Sequence, residues 1–196
     1  MGRVAIVPNP HGQCRPGDYD LVLYTPRKFA RLAASGNPSV LMGLFGPLRF
    51  STPLGDSLRS LAPAFWSDGA RERFLGYSRA QRERLLGIRG GAHTNRPELV
   101  EQFGYDTKYA MHMLRLGIQG IEYATTGALT LPVPEPHGSV LRDVRLGRYT
   151  RDEVLAMADA NEATLTSLES AAPPAPDADA INQWLLDCHR SQLPPE

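Results

Sequence analysis

The most regular pattern of apolar and polar positions in the chain runs from Asp106 to Gly127. Asp106 is a favourable helix N-cap and Gly127 a favourable stop, so the pattern predicts one helix between them. Its polar positions form one narrow stripe, in which neighbours are three or four residues apart: Lys108, His112, Arg115, Gln119 and Glu122. The rest of the helix surface is apolar: Tyr109, Ala110, Met111, Met113, Leu114, Leu116, Ile118, Gly120 and Ile121.

This polar stripe has two interpretations. In the first, Lys108 and Glu122 are solvated and His112 is a hydrogen-bonded, half-buried histidine, as is usual for charged helix faces. In the second, the stripe lines a cleft, because a surface helix normally has a broader polar face and a buried unpaired charge is costly. The uninterrupted spacing and the apolar flanks favour the cleft. A lysine, a histidine and an arginine along one face would suit an anion such as a phosphate.

Shorter patterns predict a small sheet before this helix and further helices around it. Residues 3–7 and 18–24 are typical of short strands, and the second strand would point Asp18 and Asp20 to the same side. We therefore predict an α+β fold, in which a small, incomplete N-terminal sheet packs on a mainly helical body. The predicted units are an α/β domain at 1–68, a helical domain at 69–170 with its central helix at 106–126, a linker at 171–177, and a C-terminal helix and tail at 178–196.

Composition limits the class of protein. The 21 lysines and arginines balance the 21 aspartates and glutamates, so contact with nucleic acid would need a local basic patch. Two isolated cysteines, Cys14 and Cys188, favour a reduced, cytoplasmic setting over a zinc site or a disulfide framework. No apolar run approaches the roughly 18 residues of a membrane span, and the N-terminus does not resemble a signal peptide. We therefore expect no membrane partner.

Six stretches carry a more specific set of motifs. They are D-L-V-L-Y-T-P-R-K-F at 20–29, G-N-P-S-V-L at 36–41, F-L-G-Y-S-R-A-Q at 74–81, N-R-P-E-L-V-E-Q-F-G-Y-D-T-K-Y-A-M-H-M-L-R-L at 95–116, T-G-A-L-T-L-P at 126–132 and L-G-R-Y-T-R-D-E-V at 146–154. Together they resemble predicted nucleotidyltransferases of the DNA polymerase beta superfamily, bacterial and phage proteins associated with RNA repair. The Y-D-T-K-x-A-M-H-x-x-R-L segment is the most specific part of a resemblance that covers about residues 18–170.

The resemblance implies transfer of a nucleoside monophosphate from a nucleoside triphosphate (NTP) to an acceptor, such as an RNA end, with release of pyrophosphate. It also implies Mg²⁺ or Mn²⁺, because in this chemistry carboxylates hold two divalent ions against the reacting phosphate. By the match at 20–29, Asp20 would be the third metal-binding aspartate of the family. The G-S turn and D-x-D pair that normally precede it are not found, so we expect the chain to begin inside the domain, without two metal ligands. A weaker alternative is that Asp18 and Asp20 themselves form the D-x-D pair.

The resemblance and the stripe together give a set of candidate site residues. We predict catalytic roles for Asp20, Lys108 and His112, and metal binding by Asp20 and Asp18. The residues predicted to bind nucleotide or phosphate are Arg27, Lys28, Lys108, Arg115, Asn95 and Arg96. Arg27 and Lys28 stand in the first turn of a predicted helix, where cations oppose the helix dipole unless an anion is bound. Tyr77 is expected in the core rather than as a platform for a base.

Two other functions remain open at this point. A truncated relative could bind nucleotide or RNA without catalysing transfer. A helical scaffold could instead bind a protein partner through an exposed apolar patch around Trp184. The reading frame upstream of Met1 would separate the enzyme from its truncated relative, because the enzyme needs the missing G-S and D-x-D residues.

Overall fold

The computed structural model of the chain describes residues 22–88, 96–169 and 171–191. In these ranges every regular element is helical. The helices are α1 (Pro26–Ala34), α2 (Pro38–Phe45), α3 (Pro53–Ser60), a 3₁₀ turn (Ala62–Phe65), α4 (Gly69–Leu85), α5 (Pro97–Phe103), α6 (Thr107–Thr126), α7 (His137–Arg145), α8 (Arg151–Ser167) and α9 (Ala178–Arg190).

The predicted α+β fold class is wrong. No strand and no sheet is present in the described ranges, so the body that the structure shows is all-helical. The predicted strand at 3–7, and the one at 18–24 up to residue 21, lie outside the described residues. Residues 22–24 have no regular structure, and all three are exposed. The alternation that favoured a strand there is a local signal only, and a strand also needs a partner to pair with. The chain instead enters α1 directly, through the N-cap Thr25 and Pro26.

Helix α6 is the central element, and its predicted limits are confirmed. Asp106 caps its first turn by accepting hydrogen bonds from the backbone nitrogens of Lys108 and Tyr109, and Gly127 ends it in the left-handed conformation. Helices α4, α7 and α8 pack against it. A Cβ at Gly120 would lie 2.8 Å from Phe74 Cβ, so the missing side chain lets α4 approach α6 closely. The hydroxyl of Ser78 joins the same two helices by donating to the carbonyl of Met113 at 3.1 Å.

Two apolar clusters hold the helices together. One lies among α1, α2, α4, α9 and the second half of α6, and includes Phe65, Phe74 and Tyr123. The other joins the first half of α6 to α7 and α8 through Leu114 and Val144. Trp184 belongs to the first cluster, is only 9% exposed and donates its indole N–H to the Ser57 hydroxyl at 2.9 Å. It therefore does not form the exposed patch that a scaffold function required.

The division into domains at 1–68, 69–170, 171–177 and 178–196 stays a prediction. Among the described residues, none of the helices combines the length and apolar character needed to cross a membrane.

Candidate functional site

A groove of about 480 Å³ lies between α4, α6 and the first turn of α2. α4 contributes most of its wall and α6 closes the opposite side. The lining residues are Ser39, Glu72, Arg73, Gly76, Tyr77, Ala80, Gln81, Arg84, His112 and Leu116. From the polar stripe of α6, His112 is the residue that lines the groove, together with a polar face of α4.

Helix α4 is polar on two sides, and the two sides meet different neighbours. Arg79 and Arg82 face α8, where Arg79 Nη2 lies 2.7 Å from Glu162 Oε1 and Arg82 Nη1 lies 2.6 Å from Asp159 Oδ1. On the groove side, Arg73 and Arg84 form no ion pair with any described residue. The carboxylates of α8 therefore pair with the arginines on one side of α4, whereas on the groove side Arg73 and Arg84 outnumber the single carboxylate of Glu72.

The α6 side of the groove adds further positive charge. His112 lines the groove, and Lys108 and Arg115 stand one turn to either side of it on the same face of α6. Within the described ranges, neither of these two cations has a carboxylate partner. Burial lowers the pKa of the Arg115 guanidinium below its ordinary value, as expected for a charge that is partly removed from water. α4 thus places Arg73 and Arg84 in the groove, and the charges of Lys108 and Arg115 on α6 act on His112, which lines it.

The pKa of His112 reflects its burial and these neighbouring charges. Burial lowers the pKa of its imidazole from 6.5 to about 4, and the charges of Arg115, Arg84 and Lys108 act in the same direction. The ring is therefore neutral near neutral pH, with one nitrogen that donates a hydrogen bond and one that accepts. The positive charges of these three residues, and not the burial of the ring, make the surroundings of His112 favourable for an anion.

Tyr77 stands on the wall of the groove, so the prediction that it belongs to the core is wrong. The residue is 37% exposed, and its hydroxyl accepts a hydrogen bond from Asn37 Nδ2 at 2.9 Å. Asn37 is itself fixed, because its Oδ1 caps α2 by accepting from the backbone nitrogens of Ser39 and Val40. The aromatic ring is therefore held in place at the groove while one part of it stays accessible.

A line of buried polar atoms follows the same side of α6 into the core. Gln119 is 0% exposed, and neither its amide oxygen nor its amide nitrogen has a hydrogen-bond partner among the described residues. One turn to either side, the Nε atom of Arg115 and the hydroxyl of Tyr123 are also buried without a partner there. Such groups cost free energy in a folded protein, so they call for an explanation in terms of a ligand, a water or a function.

Comparison with known protein families identifies the family of this chain. The model of the RNA repair pathway DNA polymerase beta family (RlaP) matches residues 12–187. The chain belongs to the RNA repair pathway DNA polymerase beta family. The resemblance based on the sequence motifs is confirmed to that extent, whereas the expected absence of an N-terminal segment stays a prediction. A search of curated proteins and a search of solved structures each gave no match.

The predicted site residues of this family member fall into four groups. His112 lies in the groove, and Lys108 and Arg115 flank it. Arg96 instead supports the start of α6, because its Nε lies 3.1 Å from Asp106 Oδ2 and its guanidinium stacks over the Tyr109 ring at 4.5 Å. The third group, Asp18, Asp20 and Asn95, lies outside the described residues.

Arg27 and Lys28, the other two predicted phosphate ligands, stand on the exposed first turn of α1. Arg27 lines a separate pocket of about 360 Å³ beside Leu185 and Cys188 of α9. The Lys28 ammonium lies over the Tyr24 ring, 5.1 Å from its centroid. Neither cation is among the residues that line the α4–α6 groove.

The described residues do not form a metal site of their own. No cluster of three or more histidines, cysteines, aspartates or glutamates within residues 22–88, 96–169 and 171–191 could hold a metal ion. The predicted ligands Asp18 and Asp20 precede these ranges. The groove is a binding surface built from the cations Arg73 and Arg84, the carboxylate of Glu72, the ring of Tyr77, the imidazole of His112 and the amide of Gln81.

Four groove residues were not predicted from the sequence. Arg73, Tyr77, Gln81 and Arg84 are spaced 4, 4 and 3 residues apart, which puts them on one face of α4. This signal was present in the sequence, but α4 also carries charged residues on its other faces, namely Arg71, Arg79, Arg82 and Glu83. Only the position of α8 shows which charges are paired and which remain available to a ligand.

Proposed function

We propose that this protein binds the phosphates of an NTP in the α4–α6 groove and transfers the nucleoside monophosphate to an acceptor hydroxyl at an RNA end. The observation that carries the proposal is the arrangement around His112. His112 and Arg84 line the groove, the charges of Arg84, Lys108 and Arg115 act on this half-buried imidazole, and none of the three cations has a carboxylate partner among the described residues. Family membership directs the choice of anion toward a nucleotide.

The cations of the groove are sufficient for a phosphate site of useful strength. A hydrogen bond between a charged donor and an anion contributes about 1.5–3 kcal/mol, which is about twice the value for neutral partners. Arginines on α4 and α6 present several N–H donors to a phosphate, and Lys108 adds a compact positive charge. The neutral His112 can donate one hydrogen bond to a phosphate oxygen. Its pKa of about 4 makes it a weak base, so we assign it to phosphate binding rather than to proton removal.

The proposed reaction conserves atoms and electrons as follows. The oxygen of the acceptor hydroxyl attacks the α-phosphorus of the NTP and forms a new P–O bond. The bond between the α-phosphorus and the oxygen that bridges to the β-phosphate breaks, and pyrophosphate leaves with that electron pair. The acceptor proton passes to a carboxylate or to water. The groove cations favour this step because they stabilise the negative charge that builds up on the leaving pyrophosphate.

Metal dependence remains part of the proposal. Mg²⁺ or Mn²⁺ at Asp20, with Asp18, would supply Lewis-acid polarisation of the phosphate. Those two aspartates lie outside the described residues, and the described residues offer no replacement set. The phosphate-binding roles of Arg84, Lys108, His112 and Arg115 do not depend on the metal.

A matched pair of arginine variants tests the phosphate site. ATP binding should be measured by isothermal titration for the parent, Arg84→Ala and Arg82→Ala. Arg84→Ala should weaken binding about tenfold or more, since about 1.4 kcal/mol corresponds to a factor of ten. Arg82→Ala removes the same charge from the α8 side of the helix and should leave ATP affinity within about threefold of the parent. Equal effects of the two substitutions would refute the groove as the phosphate site.

Transfer itself needs a separate assay. The parent chain should move label from an NTP labelled at its α-phosphate onto a single-stranded RNA, and Arg84→Ala should reduce the rate. Binding of ATP without any transfer would support the alternative of a nucleotide-binding relative that does not catalyse the reaction.

A further inference from the structure

The groove is longer than one phosphate-binding site needs. Arg73 and Arg84 both line it and are three helical turns apart on α4, about 16 Å at 1.5 Å per residue. The cations around His112 occupy the end near Arg84. The other end, beside Ser39 at the start of α2, has its own set of side chains and is not used by the triphosphate in the proposed function.

The chemistry of this second end differs from that of the first. Tyr77 presents a partly exposed ring whose hydroxyl is held by Asn37 at 2.9 Å, so the ring can stack on a base without losing much freedom on binding. One turn before it, Arg73 has no ion-pair partner among the described residues and lines the same groove. One turn after it, between Tyr77 and Arg84 along α4, Gln81 also lines the groove and is 6% exposed. A cation, an aromatic ring and an amide in succession match the phosphate, the face and the edge of a nucleotide.

Glu72 indicates which sugar the nucleotide at this end of the groove would carry. Its carboxylate lines the same end of the groove, next to Arg73. A carboxylate repels a second phosphate but accepts a hydrogen bond from a sugar hydroxyl, as acidic residues do toward ribose in dinucleotide sites. The 2′-hydroxyl is the group that distinguishes RNA from DNA at a given position. This end is therefore suited to one nucleoside of a ribose-containing strand.

We infer that Glu72, Arg73, Tyr77 and Gln81 form a subsite for the terminal nucleotide of a single-stranded RNA. Tyr77 stacks on the base, Gln81 contacts the base edge, Arg73 binds the adjoining phosphate and Glu72 accepts from the 2′-hydroxyl. The subsite rests on the proposed function, because it holds the acceptor whose hydroxyl attacks the NTP bound at the other end of the groove.

Fluorescence anisotropy with a short labelled single-stranded RNA tests the subsite directly. Tyr77→Ala should weaken RNA binding by about five- to a hundredfold, the range expected for loss of one base–aromatic stack. Tyr77→Phe keeps the ring and should stay within about threefold of the parent, which separates stacking from the hydrogen bond to Asn37. Arg79→Ala, on the α8 side of the same helix, is the matched control and should also stay within about threefold. Thermal melts of each variant establish that it is folded.

Two further measurements make the inference refutable independently of the proposed function. A DNA strand of the same sequence should bind the parent about two- to tenfold more weakly than the RNA, and Glu72→Gln should reduce that preference. ATP affinity of Tyr77→Ala should equal that of the parent. Unchanged RNA binding by Tyr77→Ala overturns the subsite, and so does a loss of ATP affinity in that variant, because the ring would then belong to the NTP site. If the parent binds RNA with this dependence on Tyr77 but does not bind ATP, the subsite stands and the NTP site fails.

Discussion

Arg82 and Arg84 are two residues apart on α4, but only Arg82 is paired with carboxylates in the described part of the chain. Arg82 Nη1 lies 2.6 Å from Asp159 Oδ1 of α8 and 3.8 Å from Glu162 Oε2. Arg84 lines the groove and contributes to the depressed pKa of His112, with no carboxylate partner in the described part of the chain. The same residue type thus neutralises charge at a helix interface in one case and is left available for an anion in the other.

Substitutions of Lys108 and Leu114 on α6 should affect two different properties, ATP binding and stability. Lys108 is exposed and Leu114 is 1% exposed in the second apolar cluster. Lys108→Ala should therefore weaken ATP binding about tenfold or more while the melting temperature stays close to that of the parent. Leu114→Ala should leave a cavity and lower the free energy of unfolding by about 2–5 kcal/mol.

Thermal melts and ATP titrations of both variants check this prediction. Unfolding of Lys108→Ala, or parent-like ATP binding by it, would be incompatible with a phosphate contact at this position.

The limits of α6 were predictable because its signals are local. Asp106 satisfies backbone donors within its own first turn, and Gly127 takes a backbone conformation that other residues avoid, so neither depends on the rest of the fold. The fold class was not predictable in this way. The pattern at 18–24 fits a strand, but whether a strand forms depends on a partner that local alternation does not specify. In the described ranges, residues 22–24 form no strand pairing and lead into α1.

The α6 part of the candidate site was predictable because its signal is local, whereas the α4 part was not. The spacing of Lys108, His112 and Arg115 places them on one face whatever packs against it, and the structure puts that face beside the groove. The contribution of α4 could not be deduced, because Arg73 and Arg84 differ from Arg79 and Arg82 only in what lies opposite them. That difference is a property of the packing of α8, which joins residues about 80 positions apart in the chain.

The depressed pKa of His112 predicts a pH-dependent stability. Its pKa is about 4 in the folded chain and near 6.5 when the chain is unfolded. Between these values the unfolded chain binds more protons than the folded one, so stability should fall as the pH decreases from about 6.5 toward 4. His112→Gln cannot titrate there and should lose less stability over the same interval. Melting temperatures of the two proteins at several pH values give the comparison, and parallel curves would show that His112 is not the responsible group.

Inorganic phosphate provides a second test of the same residue. A bound anion favours the imidazolium, so phosphate should raise the pKa of His112. By linkage, the stabilisation by phosphate at about pH 5, relative to that at about pH 7, should be larger in the parent than in His112→Gln, because the titration of phosphate itself is common to both proteins. Melting temperatures with and without phosphate, at matched ionic strength, measure it. The same ratio of effects at the two pH values in the parent and in His112→Gln would place the anion away from His112.

Gly36 joins α1 to α2 and fixes the position of the α2 N-terminus at the groove. Its φ is +70°, and a Cβ there would lie 2.5 Å from the Cα of Ala70. Gly36→Ala should therefore lower the free energy of unfolding by more than about 1 kcal/mol, since both the backbone angle and the contact with α4 oppose it. Gly43→Ala is the control, because a Cβ at that helical position meets no atom within 4 Å, and it should raise stability by about 0.5–1 kcal/mol. Chemical denaturation of both variants tests the difference, and equal effects would contradict the close approach of Gly36 to α4.

Replacing Gln119 by an apolar residue should raise the free energy of unfolding. Its amide is buried, and neither polar atom has a partner in the described residues, which costs about 1–3 kcal/mol per unsatisfied group. Gln119→Met keeps the length of the side chain and removes both polar atoms, so it should raise the free energy of unfolding by about 1 kcal/mol or more. Tyr123→Phe removes the unpartnered hydroxyl one turn further along α6 and should likewise be neutral or stabilising. Denaturant titrations measure both changes. A lower stability of Gln119→Met would show that the amide is hydrogen-bonded in solution, and an ordered water between Arg115 and Gln119 would then be the first partner to look for.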